Sequence, residues 1–162
     1  EKVTLIPRGS AKGLTWFAPD EDQMLISRAQ LLARITTTLG GRVAERVIFG
    51  ETEVTTGASS DLQQVTRVAR QMVTRYGMSI LGPIALENDN NELLFKGEMS
   101  NRIDAEVCRI VNHCEQLATR IVRDNRVSID LIVERLLDAE TLDGDELRTL
   151  VEQYTIPPTS IK

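Results

Sequence analysis

The longest apolar repeat in the chain constrains its fold most. Ile103, Val107, Ile110, Val111, Cys114, Leu117, Ala118, Ile121 and Val122 recur at intervals of three and four. That period places them on one stripe of a helix, and no strand could bury them together. The stripe predicts an amphipathic helix of three to six turns. Leu31, Leu32, Ile35, Leu39, Val43 and Val47 repeat the pattern from Ser27 to Phe49 and Gly50. Leu62, Val65, Val68, Ala69, Met72 and Val73 do so from Ser60 to Tyr76, with Gly77 placed to end the helix in a left-handed turn. Ile129, Ile132, Val133, Leu136 and Leu137 mark another helix, and Asp143 with Glu146 caps a last one through Leu147, Leu150 and Val151. Gly40-Gly41 interrupts the first pattern and should weaken it unless a neighbour packs closely there.

β structure is minor. "EKVTLIPR" and "GLTWFAP" are β-branched or aromatic runs separated by "GSAK", which reads as a hairpin whose strands are limited by Pro7 and Pro19. "GPIALENDNNELLFKG" reads as two short strands around an Asn/Asp turn, and "TIPPTSIK" as a frayed tail. The expected class is mainly α, with an N-terminal β-hairpin and a small central β element.

A chain of 162 residues suits one domain with a substantial core. Its net charge of −5, with both signs interspersed, argues against nucleic acid and anionic membrane surfaces as partners. No apolar stretch approaches the roughly 20 residues that span a bilayer, and no signal-peptide pattern opens the chain. Cys108 and Cys114, the two cysteines, lie six apart on a helix and point about 240° apart around its axis, so they cannot pair with each other.

Familiar catalytic signatures are missing. There is no glycine-rich Walker loop for ATP and no G-x-S-x-G elbow. The single histidine, His113, flanks the stripe of the long helix and reads as a surface residue. With one histidine and two divergent cysteines the chain cannot assemble a zinc site alone, because such a site needs three or four ligands.

"VTTGASSDLQQV", residues 54–65, holds the one position that invites a second reading. Thr55, Thr56, Gly57, Ser59 and Ser60 are turn formers, and Ser60 with Gln63 reads as a capping box. Asp61 then falls in the first helical turn, where the helix dipole favours negative charge. On local evidence Asp61 is a helix-start residue.

The wider wording changes that. "EKVTLIPRG…GLTWFAPDEDQ", "SRAQLLARI…LGGRVAE", "EVTTGASSDLQQVTRVARQMVTRYGMS…LGP" and "AETLDGDEL" stand in the order found in FtsH-type proteases. The resemblance covers nearly the whole chain and is closest to the cyanobacterial and chloroplast branch. It implies the helical metallopeptidase domain of that family over 1–156, with a flexible tail at 157–162. The parent it implies is a membrane-anchored, ATP-dependent zinc metalloendopeptidase that degrades unfolded or damaged membrane proteins. Such a parent forms a homo- or hetero-oligomeric ring, a hexamer by resemblance, in a plastid thylakoid or cyanobacterial membrane.

By the same match, Asp61 resembles the third zinc ligand, the aspartate of the "TTGAxxDL" segment. Glu45 in "LGGRVAE" matches a glutamate placed to support the zinc-binding histidines, its plainer reading being a solvated helix glutamate. Arg46 departs from the relatives, many of which carry a second acidic residue there. Gly13, Leu14, Thr15, Trp16 and Phe17 resemble the edge strand of the active-site cleft, where substrate would be held by strand addition; in the plainer reading Trp16 and Phe17 fill the core. The two remaining zinc ligands and the general-base glutamate belong to an H-E-x-x-H helix expected shortly before Glu1. No catalytic residue is therefore expected in this chain, which should be inactive alone. The ATPase module and transmembrane helices are expected further upstream. A second possibility is a pseudo-protease that has lost the zinc motif and serves only in assembly; an intact "TTGASSD" favours the active parent.

Overall fold

A computed structural model describes residues 2–6, 25–88, 90 and 92–158, which fall into two compact units. One comprises residues 25–122 of these. It holds α1 (Arg28–Thr38), α2 (Gly40–Phe49), α3 (Ser59–Thr74) and nearly all of α4 (Glu98–Asp124). Short 3-10 turns at Glu51–Glu53 and Thr56–Ala58 link α2 to α3.

Each helix begins and ends for local reasons. Ser27 caps α1, its hydroxyl accepting from Gln30 N–H while the Gln30 side chain accepts from Ser27 N–H. At the other end, the hydroxyls of Thr36, Thr37 and Thr38 each donate to a carbonyl four residues back. Such bonds weaken and bend a helix, and α1 stops at Leu39 before α2 resumes at Gly40. The interruption expected at the glycine pair thus sits one residue earlier. No heavy atom lies within 4 Å of where a Cβ on Gly40 or Gly41 would stand, so close packing among the described residues is not what selects glycine.

α3 ends as its sequence predicts. Tyr76 N–H returns to Gln71 O, Met78 N–H returns to Met72 O, and Gly77 takes φ +59°. α4 runs to 27 residues, longer than the three to six turns its stripe predicts. Ile103, Val107, Ile110, Cys114, Ala118 and Val122 are buried along it. They share the core of this unit with Leu31, Leu32 and Ile35 of α1, Val43 of α2, and Val65, Ala69, Met72 and Val73 of α3. Between α3 and α4, where a pair of strands is expected, the described residues form one antiparallel bridge, Glu87 with Leu93. Asn88 Oδ1 closes its turn by accepting from Asn90 and Glu92 N–H.

The other unit comprises residues 2–6 and 123–158, with β1 (Lys2–Thr4), α5 (Arg126–Ala139), β2 (Thr141–Asp143) and α6 (Gly144–Tyr154). β1 pairs antiparallel with β2, Val3 opposite Leu142. The second strand of the expected N-terminal hairpin falls in 7–24, outside the described residues. The partner that is described comes instead from near the far end of the chain. Asp143 caps α6, its Oδ1 accepting from Asp145 and Glu146 N–H. Thr155 and Ile156 are held against the start of α5 by Ser128 and Asn125.

Candidate functional site

Asp61 is the third residue of α3. The capping box expected at Ser60 and Gln63 does not form: α3 starts at Ser59, the residue before it is Ala58, and no side chain caps it. The cap has moved back one turn. Thr55 takes an extended conformation and its hydroxyl accepts from Gly57 N–H at 3.2 Å, opening the 3-10 turn Thr56–Ala58 that runs directly into α3. Ser60 is thereby drawn inside the helix. Asp61 remains in the first turn, where the exposed N–H groups favour a negative charge. It is half-buried, and among the described residues no group donates a hydrogen bond or an ion-pair contact to its carboxylate.

Glu45, on α2, reaches the same turn. Its Oε2 accepts from Thr55 N–H at 3.1 Å and its Oε1 from the Thr55 hydroxyl at 2.9 Å. Glu45, part-exposed, thus makes a specific contact with a residue ten positions on. Thr55 is the participant that sequence reading treated only as a turn former; its place two residues before Gly57 was the available signal. Arg46, the departure from the family wording, turns to α4. Its Nη1 donates to Glu115 at 2.7 Å and its Nη2 to Thr119 at 2.8 Å, which ties α2 to α4.

The other candidates contribute little here. Gly13, Leu14, Thr15, Trp16 and Phe17 lie outside the described residues. His113 is exposed on α4. Cys108 is exposed and Cys114 buried, both free, and burial pushes the Cys114 thiol up, away from the thiolate a metal needs. Among the described residues no three of His, Cys, Asp and Glu converge on a point that could hold a metal. Asp61 therefore fits one place in a zinc ligand set, as an unengaged carboxylate at a fixed helix start, and the remaining ligands are not among the described residues. The described helices include none long and apolar enough to cross a membrane.

A sequence profile of peptidase family M41 matches residues 1–150. The chain belongs to peptidase family M41. It is 62% identical over 98% of its length to the ATP-dependent zinc metalloprotease FtsH of Trieres chinensis, of which it covers 26%. It is 52% identical over 98% of its length to the chloroplastic ATP-dependent zinc metalloprotease FTSH 6 of Arabidopsis thaliana, covering 25% of that protein. The FtsH of Synechococcus sp. (strain JA-2-3B'a(2-13)) is 49% identical over 98% of the chain, which covers 27% of it. The chain thus spans about a quarter of the length of these M41 relatives. The expected mainly helical M41 domain with minor β structure is what the described residues form.

Proposed function

We propose that this chain is part of the proteolytic module of a membrane-anchored, ATP-dependent zinc metalloendopeptidase, and that Asp61 supplies one carboxylate ligand to its zinc. The observation that carries the reading is the unengaged Asp61 carboxylate at the start of α3, in a chain whose M41 relatives are named zinc metalloproteases. A carboxylate that no described protein group engages can offer its lone pairs to a cation. The fixed helix start holds it in one place.

In the whole protein an H-E-x-x-H segment supplies two histidines and the glutamate that takes a proton from water. When bound, zinc polarises the scissile carbonyl and lowers the pKa of that water. Residues 13–17 align a substrate polypeptide through its backbone, which suits unfolded or damaged membrane proteins of varied sequence. ATP acts on a separate module, and the working form is a hexameric ring. The chloroplastic and cyanobacterial relatives support a thylakoid or cyanobacterial membrane. The 162-residue chain alone, with its single histidine, has no peptidase activity.

The test is Asp61→Ala in the whole protein. Bound zinc and casein cleavage should be lost while the far-ultraviolet circular dichroism is unchanged. Wild-type cleavage by that variant would sink the ligand assignment. The sequence encoded upstream of Glu1 separates the protease from an assembly scaffold: an intact H-E-x-x-H is required by the first and dispensable for the second.

A further inference from the structure

We infer that Glu45 is a positioning residue that acts on the metal centre through Thr55, fixing the helix start from which Asp61 projects. The inference rests on the zinc reading of Asp61 given above. It differs from direct support of the zinc-binding histidines, the role that family resemblance suggests for Glu45.

The connection is short and polar at every step. Both carboxylate oxygens of Glu45 are engaged by one residue, Thr55, through its N–H and its hydroxyl. Two bonds from a charged acceptor to one residue leave that residue little freedom to rotate. The Thr55 hydroxyl, oriented because it donates to Glu45, offers its lone pair to Gly57 N–H. Gly57 is the middle residue of the 3-10 turn, and Ser59 N–H at its end returns to Thr56 O as α3 begins. Asp61 follows two residues later.

Two features make α3 dependent on this linkage. It has no side-chain cap of its own, so its first turn is held by what precedes it. The linkage is also tight: a Cβ on Gly57 would stand 3.2 Å from Thr55 Oγ1. Glu45 sits within α2, whose Val43 is buried in the core, so the anchor is a fixed element. A metal ligand displaced by a fraction of an ångström loses affinity, which is why groups behind the ligands matter.

The experiment uses the whole protein and measures zinc affinity by competition with a chelator of known affinity, beside peptide cleavage and thermal unfolding. Glu45→Ala and Thr55→Val should each weaken zinc binding by roughly 10–100-fold, the effect typical of residues that hold metal ligands. Thr55→Ser keeps the hydroxyl and should restore it. In an Asp61→Ala background, Glu45→Ala should change zinc affinity no further, because the ligand it positions is gone. Wild-type zinc affinity in Glu45→Ala and Thr55→Val, alongside loss in Asp61→Ala, would overturn this inference alone. Wild-type affinity in Asp61→Ala would overturn the zinc reading and this inference with it. Should Glu45→Ala fail to fold, Thr55→Val, a near-isosteric change at an exposed residue, carries the same test.

Discussion

Glu106 of α4 is a charged residue almost entirely removed from water, with 2% of its side chain exposed, and Glu106→Gln alters it with almost no change of shape. Its Oε2 accepts from Arg109 Nε at 2.6 Å, and its Oε1 accepts from Arg109 Nη2 at 2.7 Å and from Ile80 N–H at 3.2 Å. Glutamine keeps one oxygen, enough for Nη2 and Ile80, and turns an NH2 group toward the Nε–H donor. One charge-assisted hydrogen bond is lost, about 1.5–3 kcal/mol, and the surviving bond from Arg109 Nη2 weakens because its acceptor is now neutral. Arg109 is 48% exposed and can rehydrate, so the larger penalty of a stranded buried charge does not arise. The net loss should be about 2–3 kcal/mol, which lowers Tm by roughly 5–10 °C in a domain of this size.

The pH dependence supplies a second arm. Hydrogen bonding from Arg109 holds the Glu106 carboxyl below the ordinary glutamate range against the opposing effect of burial, and the Ile80 N–H adds to it. A depressed carboxylate contributes stability that is complete above its unfolded pKa and is lost as pH falls through its folded pKa. Wild type and variant should therefore differ fully at neutral pH and converge in acid, where wild-type Glu106 becomes protonated. Thermal unfolding followed at 222 nm, at neutral pH and at about pH 3, tests both arms. A neutral-pH difference under about 0.5 kcal/mol, or one that persists undiminished in acid, would refute the reasoning.

Three other perturbations follow from the geometry. Gly77→Ala would hold a side chain at φ +59° with its Cβ 2.7 Å from Pro83 Cα. The left-handed backbone and the forced repacking together should cost about 2–4 kcal/mol in urea unfolding, and a loss below about 1 kcal/mol would show that the turn yields freely. Asp143→Ala removes an acceptor of two N–H groups and should cost about 1 kcal/mol, whereas Asp143→Asn should cost far less; equal losses would disprove the capping role. A thiol reagent should label exposed Cys108 in the native protein and buried Cys114 only on unfolding, and equal native rates would contradict the burial that raises the Cys114 thiol.

The helices were legible because their apolar stripes are written at a fixed spacing, even in α6, which has no fully buried residue. The Asp143–Glu146 start was legible from its local residue pattern, although both bonds there run from backbone N–H to the aspartate, whereas the Ser27–Gln30 box went unread. The Ser60–Gln63 box has the right residues and fails because Thr55 starts the turn earlier and draws Ser60 inside the helix. β2 was illegible: "TLD" is too short to show alternation, and only Leu142 is buried. At the candidate site, Asp61 stood out through its motif and not through its spacing. The partner of Glu45 depends on how α2 and the Thr55 turn approach each other, which no periodicity encodes. Arg46 meets Glu115 across 69 positions for a similar reason.

The pairing of β1 with β2 has a consequence in time. Thr4 and Thr141 join their hydroxyls across 137 positions of chain, so during synthesis β1 must wait for a partner made long after it. At synthesis rates of about 5–20 residues per second, that wait is roughly 7–30 s. Throughout it, the N–H and C=O groups of Lys2–Thr4 lack their native partner, and an unpaired edge of this kind is what holdase chaperones and other strands seize. A chain cut short before Thr141 never closes that edge. The sheet thus acts as a record that translation has passed Asp143, kept in three residue pairs between segments far apart in the sequence.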